Sequence, residues 1–158
     1  EFYASEYLDK SQVFYGLTHQ LIVIPIALFS VFIFQPNAPV SFEATNEHMY
    51  YAVCSLAGFF QYEVLRKMDP DSHPILKQYL NVYGNTKIFV LILVLMSLGT
   101  AASLNYGAAK IIVFANGLTL ISLIVQKFKP KIYKVTEAVV SISLFFHLCS
   151  LFLVSLGW

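Results

Sequence analysis

Apolar residues along this chain fall into five long runs separated by short polar stretches. Each run approaches the roughly 20 residues that a helix needs to cross a bilayer. The runs cover residues 17–34, 48–65, 87–104, 111–125 and 135–156. The first contains Pro25, and the second is the most polar, with Gln61 and Glu63 near its end. Only residues 105–110 separate the third from the fourth, which predicts a tight antiparallel hairpin. The expected fold is all-α. It is a polytopic integral membrane protein with about five transmembrane helices and one or two short interfacial helices, in a single membrane domain over residues 1–158.

The connections carry signals of their own. Pro36-Asn-Ala-Pro39 reads as a loop, because proline lacks an N–H and restricts the residue before it. Thr45 or Asn46 can cap the second span, with Glu47 in its first turn. Asp69-Pro70-Asp71-Ser72 interrupts the chain. Ser72 can then start a short helix through Tyr83 that Gly84-Asn85 stops. Leu76, Tyr79, Leu80 and Tyr83 fall on one stripe of that helix, which suits it to lie along the membrane surface. Tyr3, Tyr7 and Phe14 predict a weaker N-terminal element of the same kind. A plain packed connection is the alternative for both. No repeat relates the first two spans to the next two, which speaks against an inverted-repeat transporter.

Composition strengthens the membrane reading. Only 12% of the residues are charged and 58% are hydrophobic, against about 25% charged in a soluble domain. Too few charges remain to cover a water-facing surface. A net charge of +1 leaves no basic face for nucleic acid, so none is expected as a partner. Cys54 and Cys149 lie inside apolar runs, with no zinc or disulfide spacing.

The charges also orient the spans. With the N-terminus on the positive side, the connections after spans two and four share that side. Lys10, Arg66, Lys67, Lys77, Lys87, Lys127, Lys129, Lys131 and Lys134 then gather there, and Lys110 faces the other side with Glu43 and Glu47. The positive-inside rule puts the gathered cations, and the N-terminus, on the cytoplasmic or matrix side. An odd number of spans sends Trp158 to the opposite side.

Polar residues inside the spans are few. Ser143, His147 and Ser150 share a helix face in span five, and Asn116 and Thr119 share one in span four. Asn116 and His147 lie at similar depth, so a hydrogen bond between them is geometrically possible. Two uses fit this cluster. One is a ligand pocket, proton relay or pigment ligand. The other, which weighs more, is interhelical joining worth about 0.6 to 2 kcal/mol per bond. No two of His19, His48, His73 and His147 match in depth as haem ligands would, and no cofactor is expected. The groups Glu43, Glu47, His48 and Asp69, Asp71, His73 have spacings common by chance, and no metal is expected. Glu63 with Arg66 and Lys67, and Lys134 with Glu137, read as interfacial ion pairs rather than as carboxylates on a proton path. Cys54 with Gly58, and Ser97 with Ala101, form small-xxx-small pairs suited to close helix packing. Fourteen Phe and ten Tyr are more aromatic surface than so small a bundle can bury, so much of it is expected to meet lipid or other integral membrane subunits.

Nucleophile, phosphate-loop and metalloprotease motifs are missing from the sequence. The expected function is a non-catalytic accessory subunit of a larger membrane complex of respiratory or ATP-synthase type. The mitochondrial inner membrane is the first choice of location and the endoplasmic reticulum the second. Two alternatives stand beside it. One is a small membrane enzyme or lipid- or sterol-binding protein with a pocket at Asn116, Ser143 and His147. The other is a transporter or channel component with a wet cavity lined by Ser97, Thr100, Asn116 and Thr119.

Overall fold

A computed structural model describes residues 11–34, 45–69 and 79–157. Several expected features lie outside those residues: the Pro36–Pro39 loop, the Ser72 helix start, the element around Tyr3 and Tyr7, Lys10, Lys77, Glu43, Asp71 and His73. The described residues form α1 (Gln12–Gln20), α2 (Val23–Phe34), α3 (Asn46–Arg66), α4 (Tyr79–Leu104), α5 (Ala109–Phe128), a single 3-10 turn (Pro130–Ile132) and α6 (Tyr133–Ser155). No strand occurs among them. Four stretches are long and apolar enough to cross a membrane: Val13–Ile33, Tyr79–Leu104, Ala109–Phe128 and Pro130–Ser155. The chain is therefore an all-α polytopic membrane protein.

Local chemistry explains the interruptions. α1 and α2 are one pass broken at Leu21 and Ile22. Pro25 sits four residues after Leu21; it has no N–H for the Leu21 carbonyl, and its ring crowds that carbonyl. The Ile24 N–H takes the Leu21 oxygen instead, at 3.1 Å, which tightens the turn. In α4 the break falls at Gly84, whose φ of 74° is open to glycine at little cost. The helical turn through Tyr83 thus ends at Gly84, as the sequence suggests, but a longer helix resumes immediately after it. At the α4–α5 hairpin, Gly107 adopts φ 82° and the Ala108 N–H bonds the Ser103 carbonyl at 3.0 Å, closing the end of α4. Thr45 caps α3: its hydroxyl accepts from the His48 N–H, and His48 Nδ1 accepts from the Thr45 N–H.

α3 is the centre of the bundle and packs against α1, α2, α4 and α6. Its 21 residues include Glu47, His48, Gln61, Glu63 and Arg66, and it is not among the four most apolar stretches. Surrounded by other helices, it needs no continuous lipid-facing apolar surface. Two apolar clusters mark the ends of the bundle. One joins Tyr51 and Ala52 of α3 to Val31, Ala102, Tyr106 and Ile112. The other joins Val64 and Leu65 to Tyr79, Ile88, Ile92, Leu123 and Tyr133. The start of α3 thus meets the end of α4, and its end meets the starts of α4 and α6, so the passes alternate in direction. Arg66, Lys67, Lys87, Lys127, Lys129, Lys131 and Lys134 consequently share one end of the bundle, and Lys110 lies at the other.

Candidate functional site

The inward polar residues form a seam between α3, α4, α5 and α6. Ser55, Gln61, Ser103, Asn116, Thr119, Thr136, Ser143, His147 and Ser150 are all buried. His147 lies at its middle, 1% exposed. Its Nδ1 bonds the Ser143 carbonyl one turn earlier on α6, at 2.8 Å. Its ring is held between two glycines of neighbouring helices. A Cβ on Gly58 of α3 would lie 2.7 Å from His147 Cγ, and one on Gly99 of α4 would lie 3.5 Å from Nε2. These glycines let three backbones close around one imidazole.

Asn116 of α5 does not reach His147. Its Nδ2 donates to the Met96 carbonyl at 3.2 Å and to Thr100 Oγ1 at 3.1 Å, both on α4. The α4–α5 contact is where the asparagine is used, because α4 is the hairpin partner and presents the Met96 carbonyl beside the Thr100 hydroxyl, one turn apart. Thr119 donates to the Ala115 carbonyl of its own helix at 3.2 Å. Ser150 donates to the His147 carbonyl at 2.8 Å and lies 2.9 Å from the Tyr106 hydroxyl. Ser143 Oγ, His147 Nε2, Asn116 Oδ1, Ser55 Oγ and Gln61 Oε1 are buried without a hydrogen-bond partner.

The small residues divide between two faces. Cys54 and Gly58 are buried, as are Gly99, Ala102 and Ser103. Ser97 and Ala101 point outward, and Ser97 Oγ donates to the Leu93 carbonyl of its own helix at 2.8 Å. Ser97 therefore does not share an interior face with Asn116 and Thr119. The ion pairs form within single helices: Glu63 contacts Lys67 at 2.7 Å and Arg66 at 3.1 Å, and Lys134 contacts Glu137 at 2.9 Å. No group of three metal-ligating side chains occurs among the described residues.

Sequence reasoning missed the tyrosine joints. The Tyr51 hydroxyl donates to the Leu148 carbonyl at 2.7 Å, Tyr106 meets Ser150, and the Tyr133 hydroxyl donates to the Arg66 carbonyl. Tyr51 and Tyr106 also meet edge to face, 6.0 Å between centroids. The available signal was the hydroxyl itself, which needs a partner that lipid tails do not offer.

The arrangement defines a helical membrane bundle in which Asn116, Tyr51, Tyr106 and Tyr133 bridge helices, while Thr119 and His147 bond within their own. Comparison with protein-family models, with curated proteins and with solved structures finds no match.

Proposed function

We propose that this chain is a non-catalytic structural subunit of a larger membrane complex. One observation carries the reading: four interior side chains, Asn116, Tyr51, Tyr106 and Tyr133, are used as joints between helices. Asn116 ties α5 to α4, Tyr51 and Tyr133 tie α3 to α6, and Tyr106 ties the α4–α5 hairpin to α6. The outward faces suit neighbours of the same kind. Phe29, Phe114, Phe145 and Phe152 are each more than half exposed, and Ser97 with Ala101 offers a place where a foreign helix can approach closely. In this proposal α3 is a fifth crossing, and the lysine-rich end and the N-terminus face the matrix or cytoplasm. The mitochondrial inner membrane, with a respiratory or ATP-synthase type complex, is the proposed setting. Extraction in mild detergent followed by a native gel tests this. Co-migration with other membrane proteins in a particle far larger than 17.8 kDa supports it. Migration of the chain by itself overturns it.

A second reading is favoured by the buried atoms left without partners. Asn116 Oδ1, Ser143 Oγ and His147 Nε2 have unused capacity to bind. A lipid or sterol polar group would then complete them. Under this reading His147→Ala removes a co-purifying lipid or sterol from a chain that remains folded. Under the structural reading, the same substitution lowers stability or assembly and leaves lipid content unchanged.

A further inference from the structure

A cavity of about 550 Å³ opens at the lysine-rich end of the bundle, between the start of α4 and the end of α5. This lies within the range of about 300–1,000 Å³ typical of small-molecule sites. It is separate from the seam around His147. Its walls are apolar: Phe89 from α4, and Leu123, Ile124 and Phe128 from α5. Polar groups of a different kind, Asn85, Thr86 and Lys127, also line it. Gly84 breaks α4 just before Asn85, so Asn85 and Thr86 begin a fresh helical segment. Backbone N–H groups in a helix's first turn lack intrahelical acceptors and favour anions. Lys127 is exposed, and Lys87, Lys129 and Lys131 lie close to lining residues in the chain. Among the described residues none of these four lysines makes an ion pair, whereas Arg66, Lys67 and Lys134 do.

We propose that this groove binds an anionic phospholipid, with its phosphate headgroup at Lys127, Asn85 and Thr86 and an acyl chain along Phe89, Leu123 and Ile124. Three features select this occupant. The groove sits at the end of two membrane-spanning helices, where headgroups lie. It combines an apolar trough with unpaired positive charge. Its charge complements a phosphate and not a zwitterionic surface. A helix from another protein would fill the trough but would leave the lysines without partners.

The test uses the intact chain in detergent, with native mass spectrometry of retained lipid. Phosphatidylglycerol and phosphatidylcholine of identical acyl chains are the probes. Phosphatidylglycerol is expected to be retained in preference to phosphatidylcholine. Lys127→Gln is expected to weaken its retention about fivefold, the effect of one surface lysine. Lys110→Gln makes the same charge change at the far end and is expected to have no effect. Both lysines are exposed, so both variants keep the fold. Ile124→Trp fills the trough without altering charge and is also expected to reduce retention. Equal retention of the two lipids, equal effects of the two lysine variants, or displacement of the lipid by millimolar inorganic phosphate alone would each overturn the proposal.

Discussion

Four of the five buried tyrosine and phenylalanine rings among the described residues are tyrosines, and seven of the nine exposed ones are phenylalanines. Tyr51, Tyr79, Tyr106 and Tyr133 are buried, whereas Phe29, Phe89, Phe114, Phe128, Phe145 and Phe152 are exposed. The two rings differ by one hydroxyl, and in hydrocarbon an unpaired hydroxyl is costly. A phenyl ring meets lipid at no such penalty, so the hydroxyl favours turning a tyrosine inward where a partner is at hand, whereas Phe60 is buried and Tyr15 and Tyr50 are exposed. Removing one hydroxyl should therefore weaken a joint without opening a cavity. Tyr133→Phe is expected to cost about 0.6–2 kcal/mol, read as a lower melting temperature in detergent. No change would show that its bond to the Arg66 carbonyl contributes nothing. The contact of His147 with Gly58 offers a second residue-scale test. Gly58→Val drives side-chain atoms into the imidazole and is expected to destabilise by about 1–3 kcal/mol. Adding His147→Ala should recover most of that loss, since it removes the ring that the new side chain meets. Equal destabilisation with and without His147 would place the strain elsewhere.

At the scale of elements, the hydrophobic pattern located the helices because length and apolarity suffice to define a membrane pass. Those properties made α2, α4, α5 and α6 readable. They gave weaker grounds for α3, whose polar residues belong to a helix enclosed by others. The Pro25 and Gly84 breaks follow from backbone chemistry, and both residues stood out in the sequence. Which way a small residue faces was harder to read. The spacing of Ser97 and Ala101 suits close packing, but the rotation of α4 turns Gly99, Ala102 and Ser103 inward and leaves that pair outside. Rotation depends on the neighbours of a helix, and a uniformly apolar run contains little record of it. For the same reason Asn116 stood out as a polar residue within an apolar run, but its partners on α4 were not legible. Asn116→Leu should separate α4 from α5 locally, at a cost of about 0.6–2 kcal/mol. Unchanged melting would remove Asn116 from the list of joints. Ala101→Phe tests the outward face of α4. It should leave the melting of the isolated chain unchanged and shift it out of the large particle on a native gel. Loss of the isolated fold, or undisturbed assembly, would contradict that use of the face.

The whole molecule is organised around α3. The helices packed on it, α2, α4 and α6, all run opposite to it, and the alternation of successive passes gathers the described cations, Lys110 excepted, at one end of the bundle. The same geometry forms the groove beside Lys127 and sets the proposed orientation in the membrane. It requires α3 to cross the bilayer, although its composition is the least apolar of the passes. Single cysteines at Glu47, Lys87, Lys110 and Lys129, in a chain with Cys54 and Cys149 replaced by alanine, test that crossing with a membrane-impermeant thiol reagent. Glu47→Cys and Lys110→Cys should react from one side of sealed vesicles, and Lys87→Cys and Lys129→Cys only from the other. Reaction of Glu47→Cys from the same side as Lys87→Cys would mean that α3 does not cross, and the central-helix architecture would be wrong.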